Sequence, residues 1–108
     1  MPVSGWRVAL EDFVSEVRGV YGPRLRGVVL YGSRARGEAE EASDIETLVI
    51  LDRCSDFWDD FNLLSPIASR VSLEHDVVIS ATPIDMSDYE ESRNPLVLNA
   101  RREGVAVA

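Results

Sequence analysis

A chain of 108 residues is long enough for one domain and too short for two. With 45% hydrophobic and 28% charged residues it has the make-up of an ordinary globular protein, and no apolar run approaches the roughly 20 residues that span a bilayer. A formal net charge of −8, from 19 acidic and 11 basic residues, speaks against an extended nucleic-acid surface, which needs clustered cations to displace counterions.

The basic residues are all arginine, whose planar fork suits phosphate and carboxylate oxygens, so a few of them placed locally are enough to hold a nucleotide. For most of the eleven, a GC-rich coding bias is the plainer reading. The N-terminus lacks the layout of a signal peptide, and the single cysteine, Cys54, has no partner for an internal disulfide. Both features favour a cytoplasmic setting. The only histidine, His75, is not set beside Cys54 by any sequence feature, so thiol catalysis is not expected. Without repeats, low-complexity tracts or a long linker, residues 1–108 read as a single domain.

Gly5 to Val20 places Trp6, Ala9, Leu10, Phe13, Val14 and Val17 at helical spacing, with Ser4 as N-cap and Tyr21-Gly22-Pro23 as terminator. Leu25 to Tyr31 reads as a strand closed by Gly32. After the polar stretch Ser33–Ser43, a second strand, Ile45–Leu51, is almost wholly apolar beyond Thr47, as befits a central strand covered on both faces. Ser55 or Asp56 caps a helix carrying Phe57, Phe61, Leu64, Ala68 and Val71, with Pro66 expected to kink or divide it. Leu73–Ser80 reads as a third strand. Pro95 starts a last helix that stops at Gly104, with a short edge strand after Val105. The order is α-β-β-α-β-α, an α/β (α+β) fold in which a small mixed sheet is flanked by helices.

Three groups of residues on this scaffold carry chemistry. A strand that ends in Gly32-Ser33 and runs into a polar turn presents backbone amides and a hydroxyl at one point. Glycine there lets the backbone approach a phosphate, and Arg34 and Arg36 stand ready to add charge-assisted bonds. Ten residues after Ser33 comes Asp44-Ile45-Glu46, at the mouth of the second strand. Side chains alternate along a strand, so Asp44 and Glu46 share a face, where a divalent cation relieves their repulsion. Hard oxygen ligands suit magnesium or manganese. Asp76, ahead of the apolar Val77-Val78-Ile79, joins them if its strand lies next to that of Asp44, as a metal ligand or a general base. His75 then points to the opposite face and reads as structural.

Together these residues resemble the nucleotidyltransferase superfamily that includes DNA polymerase beta, whose pattern is Gly-Ser, ten residues, Asp-x-Asp, and a third Asp on a later strand. The finer text, Tyr31-Gly32-Ser33-Arg34-Ala35-Arg36-Gly37-Glu38-Ala39 with Ser43-Asp44-Ile45, is similar to the minimal nucleotidyltransferases. So is the tail, from Asn94-Pro95-Leu96 through Asn99 to Arg101-Arg102-Glu103-Gly104-Val105. The likeness runs from about Leu25 to Val107.

The resemblance implies that Gly32 and Ser33 hold the β- and γ-phosphates of ATP. It further implies that Asp44 and Glu46 bind two magnesium ions, or manganese, with Asp76 activating an acceptor hydroxyl. The implied activity is transfer of AMP to a tyrosine of a partner protein, as the antitoxin of a HEPN-type RNase toxin. One position departs from the family pattern: Glu46 stands where an aspartate is expected. Glutamate keeps the charge but reaches one methylene further, and magnesium demands octahedral geometry at about 2.0–2.1 Å. This substitution motivates an alternative, a nucleotide- or partner-binding module with impaired catalysis. A small-molecule nucleotidyltransferase ranks lower, because 108 residues leave no room for the domain that holds such an acceptor. The edge strand and apolar helix faces are compatible with homo- or hetero-oligomers.

Overall fold

The computed structural model describes residues 5–40, 43–54 and 56–108. Ser4 and Ser55, both expected as helix caps, lie outside the described residues.

Helix α1 (Gly5–Tyr21) turns Ala9, Leu10, Phe13, Val14, Val17 and Tyr21 inward, the three- and four-residue spacing of an amphipathic helix. A single 3-10 turn, Gly22–Arg24, leads into β1 (Leu25–Tyr31). The polar stretch after it is not all loop, since Ser33–Arg36 form a one-turn helix, α2, closed by Gly37 at φ 73°. Next in the chain are β2 (Ile45–Leu51), α3 (Phe57–His75), β3 (Ile79–Asp85), α4 (Met86–Glu91), α5 (Pro95–Glu103) and β4 (Val105–Ala106). Helix α5 begins at Pro95, with the Asn94 side chain accepting from the Leu96 amide at 2.9 Å, and stops at Gly104 as expected. No helix among the described residues is long and apolar enough to cross a membrane.

The sheet order is β3-β2-β1-β4. β1 pairs antiparallel with β2 and β4, whereas β2 and β3 are parallel and need a crossover, which α3 supplies. β2 is interior to the sheet and buried from Thr47 to Leu51, in keeping with its apolar composition. Ile45, Val49 and Leu51 face α1 and α3 together with Val28 and Leu30. Leu48 and Ile50 face the other way with Val29, against Ala100 of α5 and, more loosely, Met86 and Tyr89 of α4. The result is the expected mixed α/β architecture, with one sheet face well covered and the other only partly so.

Three local expectations are corrected. Leu73–His75 are the last turn of α3, not the start of a strand. Asp76 caps that helix in the left-handed region at φ 54°, and the third strand runs from Ile79 to Asp85. The apolar Leu73 that suggested a strand is 85% exposed. Ser72 makes the junction: its hydroxyl donates to the Ala68 carbonyl and accepts from the Ile79 amide at 2.9 Å, while its carbonyl accepts from the Val77 amide at 3.1 Å. β3 is an edge strand, which is why it tolerates Pro83.

Pro66 does not divide α3, which runs through it from Phe57 to His75. Pro66 and Asn62 both lie on the exposed side, where solvent can take up the carbonyl that a proline leaves unbonded. The buried stripe of α3 is Asp60, Leu64, Ile67, Ala68 and Val71, so it does not begin at Phe57, which is 41% exposed and stacks instead with Phe61. Asp60 is buried at 4% exposure because it is fully partnered. The Tyr21 hydroxyl donates to it at 3.0 Å and the Arg24 guanidinium at 3.3 Å. Arg24 also donates to the carbonyls of Asp52 and Arg53, pinning the turn that leaves β2.

Candidate active site

Strand directions gather the chemistry at one end of the sheet. Because β1 and β2 are antiparallel with Tyr31 opposite Glu46, the end of β1 meets the start of β2. β3 runs parallel to β2 with Ile79 beside Ile45 and Ser80 beside Glu46, so it also starts there. Gly32-Ser33 and Asp44-Ile45-Glu46, at the two ends of one connection, thereby lie at the same edge of the sheet.

The closest contact is between Gly32 and Glu46. Gly32 has φ 76° and ψ −156°, a conformation that side chains rarely adopt. A Cβ built on it would sit 1.9 Å from Glu46 Oε2. The glutamate carboxylate therefore lies directly against the bare Cα of the turn, so that a side chain here would have to displace it and adopt a strained φ. Ser33 then opens α2, with the Ala35 and Arg36 amides returning to the Gly32 carbonyl at 3.1 and 3.2 Å. A helix start of this kind offers amides with no carbonyl behind them to an approaching anion.

Ile45 is fully buried on the α1/α3 face, which sends Glu46 to the opposite face, while Asp44 stands just ahead of the strand. Asp44 is exposed and Glu46 half-buried. Carboxylates are hard oxygen donors of the kind magnesium and manganese take, and of the two acids it is Glu46 that lies against Gly32.

Asp76 is a helix cap and not a strand residue. As the C-cap of α3 it lines a surface depression with Trp6, Arg34, Glu40 and His75, beside the start of α1. Among the described residues, the ligand atoms that do converge are those of Asp12, Glu74 and His75, all within 4.8 Å, with His75 Nε2 2.6 Å from Asp12 Oδ2. That group is a surface contact between α1 and α3, away from Gly32.

The two arginines of α2 are engaged internally. Arg34 donates to the Ser43 carbonyl at 3.0 Å and lies 4.9 Å over the Trp6 ring, which ties α2 to α1 and to the approach to β2. Arg36 pairs with Glu38 at 3.0 Å and Glu103 at 3.5 Å. Their placement serves the shape of the turn more than its charge.

Two neighbours of the site were not singled out from sequence. Tyr31, opposite Glu46, is half-buried; burial first, and then the Glu46 carboxylate, hold its phenol above the ordinary tyrosine range, while a hydrogen bond with Thr82 opposes them. Ser80 is exposed on the same face as Glu46. The register that places both is a tertiary property with no signal in local sequence.

The polymerase beta nucleotidyltransferase family model matches residues 21–107, and this chain belongs to that family. The Methanocaldococcus jannaschii protein named "Putative protein adenylyltransferase MJ0604" is 33% identical over 73 residues, 68% of this chain and 67% of its own length. Among solved structures, the Sulfolobus solfataricus protein described as a "putative nucleotidyltransferase" superposes with a TM-score of 0.64 at 18% identity, covering 98% of this chain and 87% of that one. A toxin–antitoxin crystallised with AMP-PNP superposes at 0.62 with 17% identity, covering 91% and 72%. At such identities the structural likenesses establish the fold, a nucleotidyltransferase fold.

Proposed function

We propose that this chain transfers AMP from ATP to a hydroxyl of a partner protein, a tyrosine by preference, and so acts in the cytoplasm as the antitoxin of a HEPN-type toxin. The observation that carries the nucleotide reading is the Glu46 carboxylate resting on Gly32, because it sets acid and phosphate-binding turn in one small space. The relative named as a protein adenylyltransferase supports the AMP transfer, and the toxin–antitoxin neighbour supports the setting.

In this reading Gly32 and Ser33 take the β- and γ-phosphates through backbone amides and the Ser33 hydroxyl. Asp44 and Glu46 would hold a divalent cation, which when bound neutralises charge on the phosphates. The acceptor oxygen bonds to the α-phosphorus, the bond to the bridging oxygen breaks, and pyrophosphate leaves in line. The acceptor proton passes to solvent. Asp76, at the helix cap, is left out of the ligand set.

Incubation with ATP, magnesium and a HEPN-type toxin tests this. Label from the α-phosphate should appear on the toxin and label from the γ-phosphate should not. Transfer of the γ-label, or of neither label by a chain that binds no nucleotide, overturns the reading. The longer Glu46 and the displaced Asp76 favour a second reading, a module that binds nucleotide without turnover. Nucleotide binding by calorimetry with no label transferred would select it.

A further inference from the structure

We propose that the open edge of the sheet at β4 pairs with the same edge of a second copy of this chain, joining two four-stranded sheets into one across a two-fold axis. No nucleotide is needed for this pairing. The two edges of the sheet differ. β3 carries Pro83 and ends in Asp85, residue types that deter further strand pairing. At the other edge, Val105-Ala106-Val107-Ala108 has neither a charge nor a proline, and no strand lies beyond it among the described residues. Pairing with β1 continues past β4 itself, since the Val107 amide donates to the Val28 carbonyl at 2.9 Å. Amides alternate in direction along a strand, so the Ala106 amide and carbonyl point away from β1. An antiparallel copy centred on Ala106 exchanges both of those bonds with its own Ala106.

Beside this edge runs an apolar groove of about 800 Å3, lined by the buried Leu10, Val14 and Leu30 and by the more exposed Trp6, Val105 and Val107. Arg7, Glu11 and Arg18 of α1 line it as well, in one stripe at helical spacing. Arg7 lies 4.7 Å over its own Trp6 ring, whereas Glu11 and Arg18 have no ion-pair partner among the described residues. Opposite charges two turns apart on one face are self-complementary. A copy running antiparallel and centred between them sets each Glu11 against the second copy's Arg18. An all-acidic or all-basic segment would instead meet one of the two with its own sign.

The strand and the helix place the axis at the same level. α1 and β4 both run away from the end of β1, with Trp6 at Arg34 and Val105 opposite Leu30. Arg18 shares a depression with Ala108. From Ala108 back to Ala106 is about 6–7 Å of strand, roughly the rise of four helical residues. An axis through Ala106 therefore passes α1 close to Val14, which lies between Glu11 and Arg18.

Sedimentation equilibrium of the chain without nucleotide, from about 1 to 100 µM, tests this. The expected result is a mass that rises with concentration towards twice the 12.0 kDa of one chain. Ala106→Pro removes the amide offered to the second copy and spares the bond from Val107. It should raise the dissociation constant roughly tenfold or more, with the circular-dichroism melting profile kept. Glu11→Arg and Arg18→Glu should each weaken the dimer, and the two changes in one chain should restore it. A chain monomeric throughout the range overturns the proposal and leaves the groove to another occupant. So does a mass above that of the dimer, a dimer unmoved by Ala106→Pro, or a pair of charge reversals that fail to rescue one another.

Discussion

Glu46 Oε2 lies so close to the Cα of Gly32 that a methyl group on Gly32 would be 1.9 Å from it. Turn and acid therefore constrain one another. Gly32→Ala has to relieve that overlap and also place a side chain at φ 76° and ψ −156°, an essentially glycine-only region that costs about 1–3 kcal/mol. The carboxylate is the flexible partner and will move. ATP-dependent labelling of a partner should fall about 100-fold, the usual effect of an ångström-scale displacement, with a drop of only a few degrees in Tm. Retained labelling in a folded Gly32→Ala chain would show that the contact is incidental.

Shortening the acid should act in the opposite sense. Glu46→Asp keeps the charge and withdraws it from Gly32, giving a phosphate more room against the turn. ATP affinity measured with magnesium should rise several-fold, with tenfold corresponding to about 1.4 kcal/mol. A fall in affinity would mean that the extra methylene is needed to reach the cation.

The opposite end of the sheet is held by Asp60, and its loss should affect stability alone. Asp60→Ala leaves the Tyr21 hydroxyl and the Arg24 guanidinium without their shared acceptor. A loss of about 3 kcal/mol is expected, at the lower end for a broken buried pair because the Arg24 side chain is 43% exposed. Tyr21→Phe should cost about 1 kcal/mol. Denaturant unfolding measures both, and nucleotide affinity should stay unchanged in each.

Cys54 should be a slow thiol. Burial first, then the hydrogen bond to Asp60 and the charges of Asp60 and Asp85, push it up to about 11. The thiolate is the reactive form, so at pH 8 only about one part in a thousand reacts. Between pH 8 and 10 the alkylation rate in the folded protein should climb about tenfold per unit, without the levelling near pH 9 seen for an ordinary thiol. Unfolding in urea should abolish the difference.

The elements whose signals are local could be read from sequence alone. The bounds of β1 and β2 come from apolar runs closed by Gly32 and opened by Asp44, and those of α5 from Pro95 and Gly104. Gly32-Ser33 and Asp44/Glu46 were legible as a pair because their spacing crosses a single hairpin-like connection. The end of α3 and the start of β3 were not legible in this way. Whether Leu73-Glu74-His75 continues a helix or begins a strand depends on Ser72 accepting the Ile79 amide, a contact that exists only in the fold. Ser80, and not Asp76, faces Glu46 across the parallel pair for the same reason, since the register of a parallel strand is set by the length of the crossover before it. Arg34 and Arg36 meet Ser43, Trp6, Glu38 and Glu103, partners that only the folded turn brings near.

The most direct measurement of the central claim is calorimetric titration of a non-hydrolysable ATP analogue into the wild-type chain and into Glu46→Gln, each with and without magnesium. Binding that depends on magnesium in the wild-type chain, and weakens at least tenfold in Glu46→Gln, is the expected result. Equal affinity in the two chains, or binding indifferent to magnesium, would contradict a nucleotide site built on Gly32 and Glu46.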